Sequence, residues 1–209
     1  MTPCTGVILA GGAASRYGGQ PKGLERVGGR RVIDRVADAL REAADELLLI
    51  ANDPAAHRWL PDVRTAPDVR PQLGSLGGIH AAIVRAAQPV LVVAWDMPFV
   101  PSALLRVLRN RGSATNADAV LPESGSRRGL EPLCAYYSPA CVPAIERRLD
   151  ANDMRVVSFF EDVYVERVPE HEVRRFGDPA ILFMNVNTPD DLTIAERHAA
   201  DDLHRRAEA

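Results

Sequence analysis

The sequence predicts an α/β fold, a single-domain, Rossmann-like three-layer sandwich with a mostly parallel central sheet. Short apolar runs alternate with segments whose apolar residues recur at helical spacing, the pattern of strands joined by crossover helices. Those runs are apolar throughout rather than at every second residue, as expected of strands covered on both faces. The length of 209 residues suits about one domain with a sizeable core.

The elements follow in chain order. Val7-Ile8-Leu9-Ala10, bounded by glycines, is a central strand. Val32, Ile33, Val36, Ala37, Leu40 and Ala44 mark a helix, and Leu47-Leu48-Leu49-Ile50 the next buried strand. Leu76, Ile79, Ala82, Ile83 and Ala86 mark a second helix, with Ser75 as its expected N-cap. It leads through Pro89 into a strand from Val90 to Ala94, and Leu104, Leu105 and Leu108 mark a third helix. Beyond Ala119-Val120-Leu121 the pattern loosens: Leu133 to Tyr137 reads as a strand, Pro139 to Leu149 as a helix and Val163-Tyr164-Val165 as a strand. Thr188 and Pro189 supply the N-cap and first position of a final helix, and the polar tail from about His198 is expected to fray.

Composition excludes several function classes. Hydrophobic residues at 46% and charged residues at 25% fit an ordinary globular domain rather than a disordered or fibrous chain. A formal net charge of −3 provides no basic field for nucleic acid, so any anionic ligand must be held by a local site. The longest apolar run, Val90 to Trp95, is far short of the ~20 residues a membrane helix needs. Cys4, Cys134 and Cys141 form neither a disulfide framework nor a Cys-x-x-Cys metal pair. Together with an N-terminus lacking a cationic lead and a long hydrophobic stretch, this predicts a cytoplasmic protein.

The densest chemical signal follows the first strand, where Gly11, Gly12, Gly18 and Gly19 share one loop with Arg16 and Lys22. Glycine lets backbone N–H groups converge on phosphate oxygens, while the arginine fork and the lysine point charge add full positive charge, a combination suited to a nucleoside triphosphate. Lys22 is followed by Gly23 rather than Ser or Thr and no Gly-x-Gly-x-x-Gly occurs, so the loop is neither Walker A nor a dinucleotide fingerprint. A solvated surface loop is the bland alternative. Asp96 lies just past the Val90 to Ala94 strand, where a parallel sheet offers its ligand crevice. It is the candidate ligand for Mg²⁺, which takes one or two carboxylates plus substrate phosphates; as Asp-x-Pro it could equally cap the following turn. Gly74-Ser75-Leu76-Gly77-Gly78 opens the second helix and could offer free N–H groups to a ligand, or simply start the helix. Asn185 and Asn187 alternate along an extended segment, where they could bind a metal, a phosphate or a polar ring, or form a turn. The five histidines form no ligand-spaced set and no serine has a nucleophile-elbow setting, so covalent catalysis is not expected.

These segments together resemble the molybdenum cofactor guanylyltransferase family (molybdopterin-guanine dinucleotide biosynthesis protein A), within the wider nucleotidyltransferase group. The similarity is carried by Leu9-Ala10-Gly11-Gly12 with Arg16, Gly18, Gly19, Lys22 and Gly23; by Asn52; by Asp68 leading to Gly74 through Gly78; by Trp95-Asp96-Met97-Pro98; and by Asn185 through Leu192. The resemblance implies transfer of GMP from GTP to the phosphate of molybdopterin or its molybdenum form, with release of pyrophosphate. It implies that Leu9, Ala10, Gly11, Gly12, Arg16, Lys22, Asn52, Asp68, Gly74, Leu76 and Asp96 bind GTP, that Asp96 also holds Mg²⁺, and that Asn185 and Asn187 face the pterin. The domain would span 1–209, with a GTP-binding half over about 1–110, a pterin-side half over about 111–197 and a polar tail from 198. Proteins that deliver and collect the cofactor are implied partners. Related cytidylyltransferases read Leu-Ala-Ala-Gly in the first motif, so Gly11-Gly12 favours guanine.

The expected chemistry needs no general base, because a phosphate monoester is largely dianionic at neutral pH, its second pKa being about 6. Catalysis reduces to positioning two anions and stabilising the leaving pyrophosphate, with Lys22 expected on the α-phosphate and Arg16 on the β and γ oxygens. The rival readings are a nucleotidyltransferase for another acceptor, whether a sugar phosphate, a phospholactate or a cytidylyl-type pterin substrate, and a catalytically silent nucleotide-binding domain.

Overall fold

The computed structural model describes residues 2–11, 22–125 and 129–207, with side chains in the final helix described through Asp201. Its strands are β1 (Thr5–Ala10), β2 (Arg26–Val27), β3 (Arg30–Arg31), β4 (Glu46–Ala51), β5 (Arg64–Ala66), β6 (Val90–Ala94), β7 (Ala119–Pro122), β8 (Cys134–Tyr137) and β9 (Val165–Val168). Its helices are α1 (Val32–Arg41), α2 (Gly74–Ala86), α3 (Ser102–Thr115), α4 (Val142–Asp150), α5 (Glu170–Val173), α6 (Pro179–Leu182) and α7 (Pro189–Ala207).

Among the described residues the main sheet has seven strands in the order β5-β4-β1-β6-β8-β7-β9. All pairings are parallel except those of β8, which runs antiparallel to both β6 and β7. The central strand β1 is buried along its whole length, as its uninterrupted apolar sequence predicts. Ile8, with Ile33 and Leu40 of α1 and Leu104 and Leu108 of α3, fills one face of the sheet. Val7 and Leu9, with Ile79 and Ile83 of α2 and Ile145 of α4, fill the other. These are the two outer layers of the expected sandwich.

The β1–β4 crossover places α1 on one face, while the next parallel neighbour on the opposite side of β1 is β6. The chain thus winds outward in two directions from β1 and β6, and the gap between their carboxyl ends is a topological switch point, where ligands bind in such sheets. Register reinforces this: Leu9 lies opposite both Ile50 and Ala94, and Ala66 lies opposite Ile50. The segments leaving β5, β4, β1 and β6 therefore emerge in one row, roughly 14 Å across at the usual strand spacing.

A β2–β3 hairpin turns through Gly28 and Gly29 at φ 58° and 76°, the left-handed pair that a two-residue type I′ loop requires. Its Val27 packs with Val32, Val186, Ala195 and Ala199, and the Glu196 carboxylate accepts a bond from the Gly28 N–H at 3.0 Å. This contact ties α7 back to the N-terminal half. Helix α7 starts as expected: the Thr188 hydroxyl accepts from the Asp191 N–H at 3.1 Å, and Asp191 accepts from the N–H groups of Asn187 and Thr188 at 3.0 and 2.9 Å. This reciprocal box satisfies donors that the helix itself leaves open. Thr188→Ala is expected to lower stability by about 1 kcal/mol, read as a shifted urea midpoint with unchanged slope.

Three expectations need correction. Ser75 does not cap α2; the helix begins two residues earlier than a Ser75 cap implies, with Leu73 in the cap position and no side-chain cap bond, and Gly74 at φ 61° makes the turn in a conformation glycine tolerates. The strand expected at Val163 to Val165 is β9 at Val165–Val168, and Tyr164 is 53% exposed. The helix does not stop near His198: α7 continues to Ala207, and Ala199 is packed. The three cysteines are buried, and burial pushes the Cys4 and Cys141 thiols up to about 12, consistent with packing roles.

Candidate active site

At the switch point lies a cavity of about 510 Å³, within the range of small-molecule sites. Its walls come from each strand end in the row: Leu9 and Gly11 from β1, Ile50, Ala51 and Asn52 from β4, Asp68 after β5, and Ala94, Trp95 and Asp96 from β6. The start of α2 adds Gly74, Ser75 and Gly78, preceded by Gln72, while Leu133 and Asn185 close the far side.

Asp96 is the electrostatic centre. Its Oδ1 is buried and, among the described residues, has no hydrogen-bond partner. Burial raises its pKa above the ordinary carboxylate value, an effect opposed by its own backbone N–H and by the positive charge of Lys22. Helix α3 starts later in the chain, with Pro101 in its cap position. A buried anionic oxygen without a donor is costly unless something else satisfies it, and a hard cation is the natural complement. Among the described residues no group of three or more His, Cys, Asp or Glu side chains converges on a metal position, so the protein would contribute few charged ligands and leave room for phosphate oxygens.

Lys22 opens a short 3₁₀ turn, Lys22–Leu24. Its Nζ donates to Asn187 Oδ1 at 2.7 Å across 165 residues of sequence, and its field reaches Asp96. The Val186 N–H donates to the Asp96 carbonyl at 2.9 Å, so the 185–187 segment is fastened to the Lys22 ammonium and to the Asp96 backbone. Asn52 and Asp68 are joined reciprocally: Asn52 Nδ2 donates to Asp68 Oδ2 at 2.7 Å, and the Asp68 N–H donates to Asn52 Oδ1 at 2.9 Å. Residues separated by most of the sequence thus meet at one end of the sheet.

The residues matched to the family divide clearly. Leu9, Gly11, Asn52, Asp68, Gly74, Asp96 and Asn185 line the cavity, and Lys22 and Asn187 adjoin it through their bond and the field at Asp96. Ala10 and Leu76 are instead part of the two core clusters, so their side chains pack rather than face a ligand. Gly12 and Arg16 lie outside the described residues. Six cavity residues had no site role assigned from the sequence: Ile50, Ala51, Gln72, Ala94, Trp95 and Leu133. Trp95 had a positional signal, standing directly before Asp96 past the end of β6; Gln72 and Leu133 had none.

Residues 6–167 match the family described as the MobA-like NTP transferase domain. A probable molybdenum cofactor guanylyltransferase from Pelotomaculum thermopropionicum is 40% identical over 196 residues, covering 93% of each chain. The molybdenum cofactor guanylyltransferase of Desulfosudis oleivorans is 34% identical over 197 residues, covering 94% of this chain and 96% of that one. The chain belongs to the molybdenum cofactor guanylyltransferase family. Members of this family are nucleotidyltransferase enzymes, and the fold agrees: molybdopterin-guanine dinucleotide biosynthesis protein A from Archaeoglobus fulgidus superposes with a TM-score of 0.80 at 28% identity, covering 94% of this chain and 99% of that one. A more distant fold relative of the family, Rv0371c from Mycobacterium tuberculosis in complex with manganese, gives a TM-score of 0.64 at 21% identity, covering 94% and 98% of the two chains. Among the described residues no helix is long and apolar enough to cross a membrane.

Proposed function

We propose that the protein transfers GMP from GTP to the terminal phosphate of molybdopterin or its molybdenum form, releasing pyrophosphate. The observation that carries the proposal is the meeting of Lys22, Asn187 and a buried Asp96 oxygen, unpartnered among the described residues, beside a nucleotide-sized cavity. Asp96 would hold a divalent cation, taken as Mg²⁺, and the Asn185 amide, which uses its Nδ2 toward the Phe183 carbonyl, offers its oxygen as a further donor. When bound, that cation offsets phosphate charge and aligns the reacting oxygens.

The remaining work falls to the chain itself. The Lys22 ammonium carries three donors, and the bond to Asn187 leaves two for phosphate oxygens; on the α-phosphate it stabilises charge as the bond to the β-phosphate breaks. Arg16 would hold the β and γ oxygens. Asn52 and Asp68, locked to each other, present a rigid polar edge to the nucleoside, while Asn185 and Asn187 face the pterin. No histidine lines the cavity among the described residues, and none is required, because the attacking phosphate oxygen is already ionised. A reducing cytoplasm suits both three buried free thiols and these substrates.

The test is pyrophosphate release with Mg²⁺, molybdopterin and each of the four triphosphates. Release is expected with GTP above the others, and its loss in EDTA should be reversed by excess Mg²⁺. Release with CTP alone would overturn guanylyl transfer in favour of cytidylyl transfer. No release with any triphosphate would favour the silent domain.

A further inference from the structure

The short turn carrying Lys22 is not held by its own hydrogen bonds alone. It rests on Trp95: a Cβ added to Gly23 would stand 2.4 Å from one indole carbon and 2.7 Å from the next, so the backbone beside Lys22 lies directly against the ring. Gly23 has no positive φ, which makes this glycine a requirement of contact rather than of backbone conformation. The indole has little room to retreat. Only 5% of it is exposed, and it stacks on Trp59 with centroids 5.1 Å apart and planes 23° apart. Its backbone N–H donates to the Leu9 carbonyl at 3.1 Å, extending the β1–β6 pairing, and the next residue in the chain is Asp96.

We propose that the Trp95 indole is a positioning residue that sets the separation between Lys22, which rests on it through Gly23, and Asp96, which follows it in the chain. This inference rests on the nucleotidyl-transfer reading above. Its chemical content is simple: the lysine charge and the carboxylate must both reach one phosphate chain, and misplacement of either by about 1 Å is enough to cost on the order of 100-fold in rate. A rigid aromatic slab between the two supporting segments fixes that distance without touching the reacting atoms.

The test is a double-mutant cycle in the holoenzyme, measured as pyrophosphate release with Mg²⁺, molybdopterin and whichever triphosphate the wild type consumes fastest. Trp95→Leu is expected to lower kcat by about tenfold while changing the triphosphate KM by less than about threefold. In a Lys22→Ala background the same substitution is expected to change kcat by less than about twofold, because its effect runs through the lysine. Gly23→Ala, whose methyl group would collide with the indole, should reproduce the kcat loss. Equal fold losses in the two backgrounds, or wild-type kcat in Trp95→Leu, overturn the inference alone. If Gly23→Ala does not fold, the cycle with Lys22 still decides. A wild type that releases no pyrophosphate with any triphosphate overturns the transfer reading and this inference with it.

Discussion

Asp96→Asn is expected to lower turnover by about 100-fold or more, the usual effect of deleting one charge contact to a transition state, and at the same time to raise the melting temperature of metal-free protein. Both outcomes come from one atom. Asp96 Oδ1 is buried without a partner among the described residues, and burial is the leading cause of its raised pKa. The folded state therefore binds this proton more tightly than the unfolded chain does. Its contribution to stability falls as pH rises from the ordinary carboxylate value through the raised folded value, and the loss is complete above that window. Asparagine avoids ionisation altogether, so its advantage in EDTA should be present at pH 7 and shrink as the pH falls into the range where the wild-type carboxyl takes up its proton. Scanning calorimetry across pH, paired with pyrophosphate release in Mg²⁺, reads both effects. A variant that is less stable than wild type in EDTA at pH 7 would contradict the charge argument, and one with normal Mg²⁺-dependent rates would remove Asp96 from the site. Lys22→Ala should share the kinetic loss, by at least tenfold.

Tyr137→Ala is expected to be the most damaging single truncation of the core. Tyr137 is fully buried on β8, packs against Phe159 with centroids 6.2 Å apart, and donates its hydroxyl to the Pro132 carbonyl at 2.8 Å. Removing a buried aromatic ring costs about 3–5 kcal/mol, and a carbonyl left without its donor adds about 1–3 kcal/mol. Against a typical total of about 5–15 kcal/mol, the variant should be largely unfolded at 37 °C or retain only a low denaturant midpoint. Tyr137→Phe separates the two contributions, losing the hydroxyl bond alone. A fall of less than about 2 kcal/mol for the alanine variant would show that the cavity collapses and refills.

The parts of the fold legible in the sequence are those whose stability comes from burial. β1, β4 and β6 are continuous apolar runs because helices cover both faces, and α1 displays Ile33, Val36, Ala37 and Leu40 toward the sheet at helical spacing. β9 was legible only to within three residues. It is an edge strand paired to β7 alone, with Glu166 and Arg167 in its middle, and backbone pairing leaves no trace in hydropathy. The β2–β3 hairpin had a usable signal in Gly28-Gly29 that hydrophobic periodicity does not detect.

At the site, Asp96 was legible because topology alone puts the residue after a parallel strand into the crevice. Lys22 was legible from its charge within a glycine-rich stretch. That the lysine would bond Asn187, and that its turn would rest on an indole, depended on contacts closed over long stretches of chain, which spacing cannot reveal. Ala10 and Leu76 illustrate the converse: both belong to matched motifs, yet their side chains belong to the core.

The fastening of residues 185–187 to Lys22 and Asp96 has a consequence for biogenesis. On the ribosome, the strands that build the nucleotide crevice emerge long before the asparagines that close it, so a nascent or prematurely terminated chain could form the crevice while Lys22 still lacked its Asn187 partner. Competence would then arrive as a late, single event in synthesis, and shortened products ending before this segment would compete for nucleotide without forming a complete site.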